Sequence, residues 1–222
     1  MQKLKLFRNL KPVIAIDGTA VSGKGTLAKR IAEEINFDHL DTGILYRYLA
    51  YLNKIDAVNL KNYDELKKRF NLSEISRLNL RTELITEESS KIAARIETRN
   101  FLIKIQRDFS NNPPSGRGSV IDGRDIGTIV IPQAEIKFYI DANVNVRAKR
   151  RLRDLEKNIE KVNFNSVLKQ ITERDWRDKN RKIAPLKKHK KAVLIDTSEL
   201  TQDQTVEFAI KFIKESNKIN TN

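Results

Sequence analysis

The residues best suited to chemistry lie in GTAVSGKGT, Gly18–Thr26, between the apolar run PVIAID and the helical stretch LAKRIAEEI. Gly18, four residues, Gly23 and Lys24, set between a strand and a helix, form a phosphate cradle. Backbone amides turn inward, the helix N-terminus adds partial positive charge, and Lys24 reaches the terminal phosphates. Thr19, Ala20, Val21 and Ser22 complete the loop. The strict motif has Ser or Thr directly after the lysine; here Gly25 stands there and the hydroxyl follows at Thr26. The alternative, a chance glycine-rich turn, does not account for strand, loop and helix falling in this order.

Three further segments offer charges to a second anion. In DTGILYR, Asp41 or Thr42 caps a helix that carries Tyr46 and Arg47 near its first turn, where Arg47 is a phosphate clamp or a solvated surface arginine. In DGRDIGT, at the end of an apolar run, Asp122 is placed to hold magnesium directly or through water, and Arg124 and Asp125 project into a cleft. The competing reading is a glycine turn with a local Arg–Asp pair. In TERDWRDKNRK, helical spacing puts Arg174, Asp178 and Arg181 at i, i+4 and i+7 on one face, a pattern that solvated salt bridges also produce. RAKRRLRD, with Arg147, Arg150 and Arg151, reads as a lid over the donor nucleotide or as a solvated basic helix.

These segments need a scaffold, and the sequence supplies one. PVIAID, SVIDG, IKFYID and AVLID are short apolar runs ending in or near Asp17, Asp122, Asp141 and Asp196, with a weaker fifth candidate at Phe37 to Leu40. Apolar runs without polar alternation suit strands buried on both faces of a parallel sheet. Helical stretches begin after Gly23 and Thr42 and near Thr86, Asn143, Asn163 and Thr201. The alternation predicts an α/β fold with ligands gathered beyond the carboxyl ends of the strands. Charged stretches at 48–81 and 147–163 interrupt it as candidate flaps, and NNPPSGRG at 111–118 is a turn-rich loop.

Composition narrows the classes. The 222 residues suit one domain with excursions, since single cores grow to about 250 residues. A net charge of +14 draws polyanions but does not choose between nucleotide and nucleic acid. The absence of cysteine excludes disulfides and Cys-based zinc sites. The two histidines, His39 and His189, lack metal-ligand spacing and read as surface or packing residues. No signal-like or membrane-spanning run is seen, so the expectation is a cytoplasmic protein without membrane association.

The GKGT ending resembles adenylate-kinase-like nucleoside monophosphate kinases. Taken in order, IDGTAVSGKGTLAKRIAE, LDTGILYR, LRTELITEESSKIAARIETR, DGRDIGTIVIP and ITERDWRDKNRKIAPL resemble bacterial cytidylate kinases over nearly the whole chain. That resemblance implies a P-loop NTPase fold with a five-stranded parallel sheet flanked by helices. It implies a single domain, 1–222, with core 10–47, 82–146 and 164–217, a nucleoside-monophosphate-binding insert at 48–81 and a lid at 147–163. The implied activity is transfer of the γ-phosphate of ATP to CMP and dCMP, with Mg2+ as cofactor, by a monomer. Lys24, Arg124 and Arg174 would be catalytic. Gly18 to Thr26 and Arg151 would bind ATP. Thr42, Tyr46, Arg47, Ser90, Arg99, Arg124, Asp125, Arg174, Asp178 and Arg181 would bind CMP. Within that set Arg47 and Arg124 would grip the acceptor phosphate, Arg174 and Arg181 would span the phosphates near transfer, Asp178 would bond the ribose hydroxyls, and Ser90, Arg99 and Asp125 would read the cytosine edge. Ser90 and Arg99 lie nine residues apart, on opposite faces of one ideal helix, so both reach one base only if the helix starts late or bends. Two departures stand out: Val21 replaces the family's usual glycine, and the 48–81 insert is shorter than usual, where the family often adds a small sheet. The competing functions are a phosphotransferase with another acceptor and a nucleic-acid-binding module; a low aromatic content of 7% argues against the latter.

Overall fold

The computed structural model describes residues 11–156, 163–216 and 218–219. At its centre lies β1 (Val13–Gly18), every residue of which is buried. Alternation of side chains divides the interior in two. Ile14 and Ile16 join Leu27 and Ile31 of α1 (Lys24–Glu34) and Ile213 of α8 (Gln202–Glu215) on one face. Val13 and Ala15 join Ile121, Val130 and Ala134 on the other. Each fully buried Ile contributes about 1.5–3 kcal/mol, which is why this run forms the middle of the sheet.

The other strands are β2 (Asp38–Asp41), β3 (Ser119–Gly123), β4 (Ile136–Asp141) and β5 (Val193–Asp196). Their order is β2-β3-β1-β4-β5, and every pairing is parallel. The five expected strands and the parallel sheet are therefore present. The order places β1 between β3 and β4, so the phosphate loop opens beside the carboxyl ends of both. At Gly18 the approach is so close that a Cβ would fall 2.1 Å from the Ile140 carbonyl oxygen.

Asp17 ties two loops together. Its carboxyl accepts the N–H of Ile126 at 2.7 Å and of Gly127 at 2.8 Å, at the start of a π-helical turn, Ile126–Val130. Burial outweighs those donors and pushes the carboxyl up from 3.8 to about 7. The folded state thus holds this proton more tightly than the unfolded chain does. Its stabilising contribution is present below pH 3.8 and is lost as pH rises through about 7. Asp17→Asn does not titrate, and its NH2 opposes one of the two amide donors. We expect a loss of about 1–3 kcal/mol at pH 5 that shrinks at pH 8. Urea denaturation at both pH values checks this, and a loss that grows with pH would contradict it.

Crossover segments form a second core. α2 (Thr42–Lys54) runs unbroken past Arg47, so the interruption expected from residue 48 begins only after Lys54. Tyr48 is wholly buried and its hydroxyl donates to Glu74 Oε2 at 2.8 Å. α3 (Tyr63–Arg69) starts on an Asn62 side-chain cap, and a 3-10 turn covers Leu72–Arg77. Leu60, Leu66 and Leu80 from this stretch pack with Leu45, Leu49 and Leu102. The buried residues of the 48–81 segment form a small apolar cluster beneath a largely exposed, charged surface, and the segment contains no strand.

The 83–111 region forms two helices, α4 (Glu83–Ile92) and α5 (Ile96–Asn111). The turn between them re-aims the chain, so Ser90 and Arg99 reach the same cleft despite their helical phase. α6 (Val144–Glu156) and α7 (Phe164–Asn180) pack through Ala148, Val167 and Ile171. Residues 157–162 of the expected lid lie outside the described residues. α7 ends at Asn180, so Arg181 is its extended C-cap and not the third residue on a helical face.

Candidate active site

A cleft of about 1140 Å³ opens at the carboxyl edge of the sheet. One end is the phosphate loop. Gly23, at φ 89°, turns the chain into α1, whose first turn carries no acidic residue. Lys24 crosses the loop, and its Nζ donates to the Thr19 carbonyl at 3.2 Å. Burial, reinforced by Arg124, pushes its ammonium down from 10.5 to about 7. Ala20 to Thr26 all line the cleft. Gly18 and Thr19 do not: Thr19 is fully buried and its hydroxyl donates to Asp141 Oδ1 at 2.7 Å, so these two shape the loop from below. Ser22 donates to the Thr19 carbonyl at 3.0 Å and is likewise an internal brace.

Asp122 faces the loop from the end of β3. A Cβ on Gly25 would lie 3.8 Å from Asp122 Oδ2, while Oδ1 lies 2.9 Å from His39 Nε2. His39 is thus part of the site although its spacing gave no sign of it. It sits one strand from Asp122 through the β2–β3 pairing, and only that register brings them together. Thr42, buried beneath, donates to the Asp122 carbonyl at 2.7 Å.

Across the cleft stand the arginines. Arg124 Nε donates to Asp178 Oδ2 at 2.8 Å, and Ser90 Oγ donates to Asp178 Oδ1 at 3.4 Å. Both oxygens of Asp178 are therefore engaged inside the protein, and Arg124 and Arg174 hold its carboxyl below the usual range against the effect of burial. At the inner end Arg99 pairs with Asp125, and Arg181 Nη2 lies 3.7 Å from Asp125 Oδ1. Arg99 and Arg181 also converge on the Ala93 carbonyl, at the break after α4, at 3.3 and 3.5 Å. Arg181 Nε donates to the Ala184 carbonyl at 2.7 Å.

Arg47 and Arg174 differ from these. Among the described residues neither forms an ion pair, and the Nε of each is buried without a hydrogen-bond partner. Burial and the neighbouring Arg124 push the Arg174 guanidinium down to about 9. Arg47 is lowered by burial as well, with Asp41 partly offsetting it. Two desolvated cations face one polar cleft, an arrangement that costs stability and is relieved by an anion.

The expected lid arginines divide. Arg151 lines the cleft. Arg150 lines it too, but is anchored on Thr197, Nη1 to Oγ1 at 3.0 Å and Nη2 to the carbonyl at 2.6 Å. Arg147 turns inward, 4% exposed, and pairs with Asp175 at 2.5 Å. Thr197, Leu200 and Thr201 after β5 also border the cleft, as does Arg81, paired with Asp41 at 3.2 Å. The position of Thr197 just past an acidic strand end was the available signal for that border.

A phosphate loop at the carboxyl edge of a parallel sheet, opposed by desolvated arginines, defines a P-loop phosphotransferase with a second anionic substrate. Within that class the particular group is fixed by comparison. The family model described as "Cytidylate kinase" matches residues 14–215, and the chain belongs to that family. It is 44% identical over 208 residues to a cytidylate kinase of Bartonella tribocorum, covering 92% of this chain and 95% of that one. It is 38% identical over 207 residues to a cytidylate kinase of Paramagnetospirillum magneticum, covering 92% and 98%. In fold it is similar to an uncharacterized protein of Eubacterium ventriosum, with a TM-score of 0.53 at 16% identity, covering 92% and 99%.

Proposed function

We propose that this chain transfers the γ-phosphate of ATP to CMP and dCMP, giving ADP with CDP or dCDP. The observation that carries the reading is the pair of unpartnered, desolvated guanidiniums, Arg47 and Arg174, in the cleft that opens on the phosphate loop. An oxygen of the acceptor phosphate forms a bond to the γ-phosphorus as the bond from that phosphorus to the β-bridging oxygen breaks. The attacking oxygen is already anionic, so no strong general base is needed, and catalysis reduces to alignment and charge neutralisation. Lys24 and Arg174 follow the transferring group, and Arg124 and Arg47 hold the acceptor phosphate. Thr42 and Tyr46 floor the acceptor side.

At the inner end Arg99, Asp125 and Arg181 offer both donors and acceptors, the character needed to read a base edge. Asp178, which accepts from both Ser90 and Arg124, couples that end to the ribose and phosphate. Each Asp178 oxygen accepts one internal hydrogen bond and keeps a lone pair for a ribose hydroxyl. Arg151, on α6 at the edge of the cleft, belongs to a lid that excludes water as an acceptor.

The donor set fits Mg2+ carried in with ATP. Asp122 Oδ2 faces the loop and Thr26 lines the same cleft, so one carboxylate and one hydroxyl are the residues that would hold the ion. Bound there, magnesium would neutralise phosphate charge. His39 holds the other Asp122 oxygen in place. No helix among the described residues is long and apolar enough to cross a membrane. Incubation with MgATP and CMP, read by separation of the nucleotides, is expected to give CDP and ADP in equal amounts; ADP without CDP would overturn the reading.

A further inference from the structure

Val21 has φ 59°, in the left-handed region, where a β-branched residue is strained and glycine is not. Something must hold the loop there. The preceding residue is gripped on both sides of its Cα: Asp175 Oδ1 accepts the Ala20 N–H at 3.2 Å, and Arg147 Nη1 donates to the Ala20 carbonyl at 3.0 Å. That carbonyl belongs to the peptide joining Ala20 to Val21, so the second bond fixes the entry to the strained residue directly.

The two gripping side chains are themselves joined. Arg147 and Asp175 pair at 2.5 Å, and Arg147 Nε donates to the Ala142 carbonyl at 2.8 Å, so Nε and Nη1 are both engaged away from the cleft. Arg147 is 4% exposed and Asp175 7%. The Val21 side chain packs against the same helix pair through Ala148, Val167 and Ile171. The phosphate loop is therefore seated on α6 and α7 by two polar ties and one apolar contact.

We propose that the buried Arg147–Asp175 pair is a positioning element for the donor triphosphate, holding Ala20 and Val21 in the left-handed turn that aims the loop amides. It supplies from tertiary structure the constraint that a glycine at position 21 would make unnecessary. The proposal rests on ATP as the phosphate-loop ligand, but not on CMP as acceptor. Asp175 also lies between Arg174 and Asp178 on α7, so the helix that seats the donor loop is the one that carries acceptor-side charges.

The test uses the full chain and equilibrium binding, which reads the loop whether or not CMP is phosphorylated. Arg147→Met/Asp175→Leu removes both ties without leaving a lone buried charge. Calorimetric titration is expected to show ATP binding weakened about 10- to 100-fold and CMP binding within about threefold of native. Adding Val21→Gly to that variant should restore at least about tenfold in ATP affinity, because glycine adopts the turn unaided. Should the double variant fail to fold, Arg147→Lys, whose single ammonium cannot reproduce the fork, is expected to weaken ATP about three- to tenfold, again with rescue by Val21→Gly. Unchanged ATP affinity in the variant that folds, equal weakening of ATP and CMP, or no rescue by glycine would each overturn the proposal.

Discussion

Replacing Arg174 by Met is expected to lower kcat by about 10²- to 10³-fold while raising the melting temperature. Both halves come from one feature. Among the described residues the Arg174 guanidinium has no ion-pair partner in the cleft and its buried Nε has no hydrogen-bond partner, and burial brings it down to about 9. The folded protein bears the cost of that desolvated charge in the absence of substrate and recovers it when phosphates arrive. Methionine keeps the aliphatic packing and removes the charge. After discounting for solvent in the open cleft, the gain is about 1 kcal/mol, or about 2–4 °C for a chain of this size.

Arg124 should behave otherwise. It pairs with Asp178, which is 3% exposed, so Arg124→Ala strands a buried carboxylate and loses activity and stability together. That contact ties Arg124 to the stability of the fold as well as to the reaction. Thermal melts and steady-state rates of the two variants side by side check the account; a lower melting temperature for Arg174→Met would contradict it.

Lys24→Met is expected to reduce kcat/KM for ATP by about 10³-fold. The lysine also carries a signature in pH. Burial and Arg124 push it down to about 7 in the free protein, so above that pH it is largely neutral until phosphates restore the ammonium. ATP binding at pH 8 should therefore take up a proton, and affinity should fall as pH rises through about 7. Calorimetry in two buffers of different ionisation enthalpy measures the uptake. Lys24→Met should reduce it; equal uptake by both proteins would contradict the assignment.

How far the sequence revealed this site depends on whether each signal was local. The strands were legible because VIAID, SVIDG and IKFYID are apolar on both faces, and the phosphate loop because glycine spacing encodes its backbone. The break between α4 and α5 was not. Ala93, Ala94 and Arg95 contain neither glycine nor proline, and the turn is held by Arg99 and Arg181 drawn to the Ala93 carbonyl from outside the local chain. Arg147 was grouped with Arg150 and Arg151 because a run of basic residues does not say which one faces inward. His39 reads from sequence as a surface or packing residue because its partner lies 83 residues away and only the β2–β3 register joins them. Thr19, within the motif, turned out to face the opposite way because β4 passes so close that its hydroxyl meets Asp141.

The choice of acceptor tests the central claim most directly. With MgATP saturating, kcat/KM is measured for CMP, dCMP, UMP, AMP and GMP. The polar inner end formed by Arg99, Asp125 and Arg181 predicts CMP or dCMP as the best acceptor, ahead of both purine nucleotides by at least about 10²-fold. AMP or GMP as the best acceptor, or ATP hydrolysis with no transfer to any of the five, would contradict it.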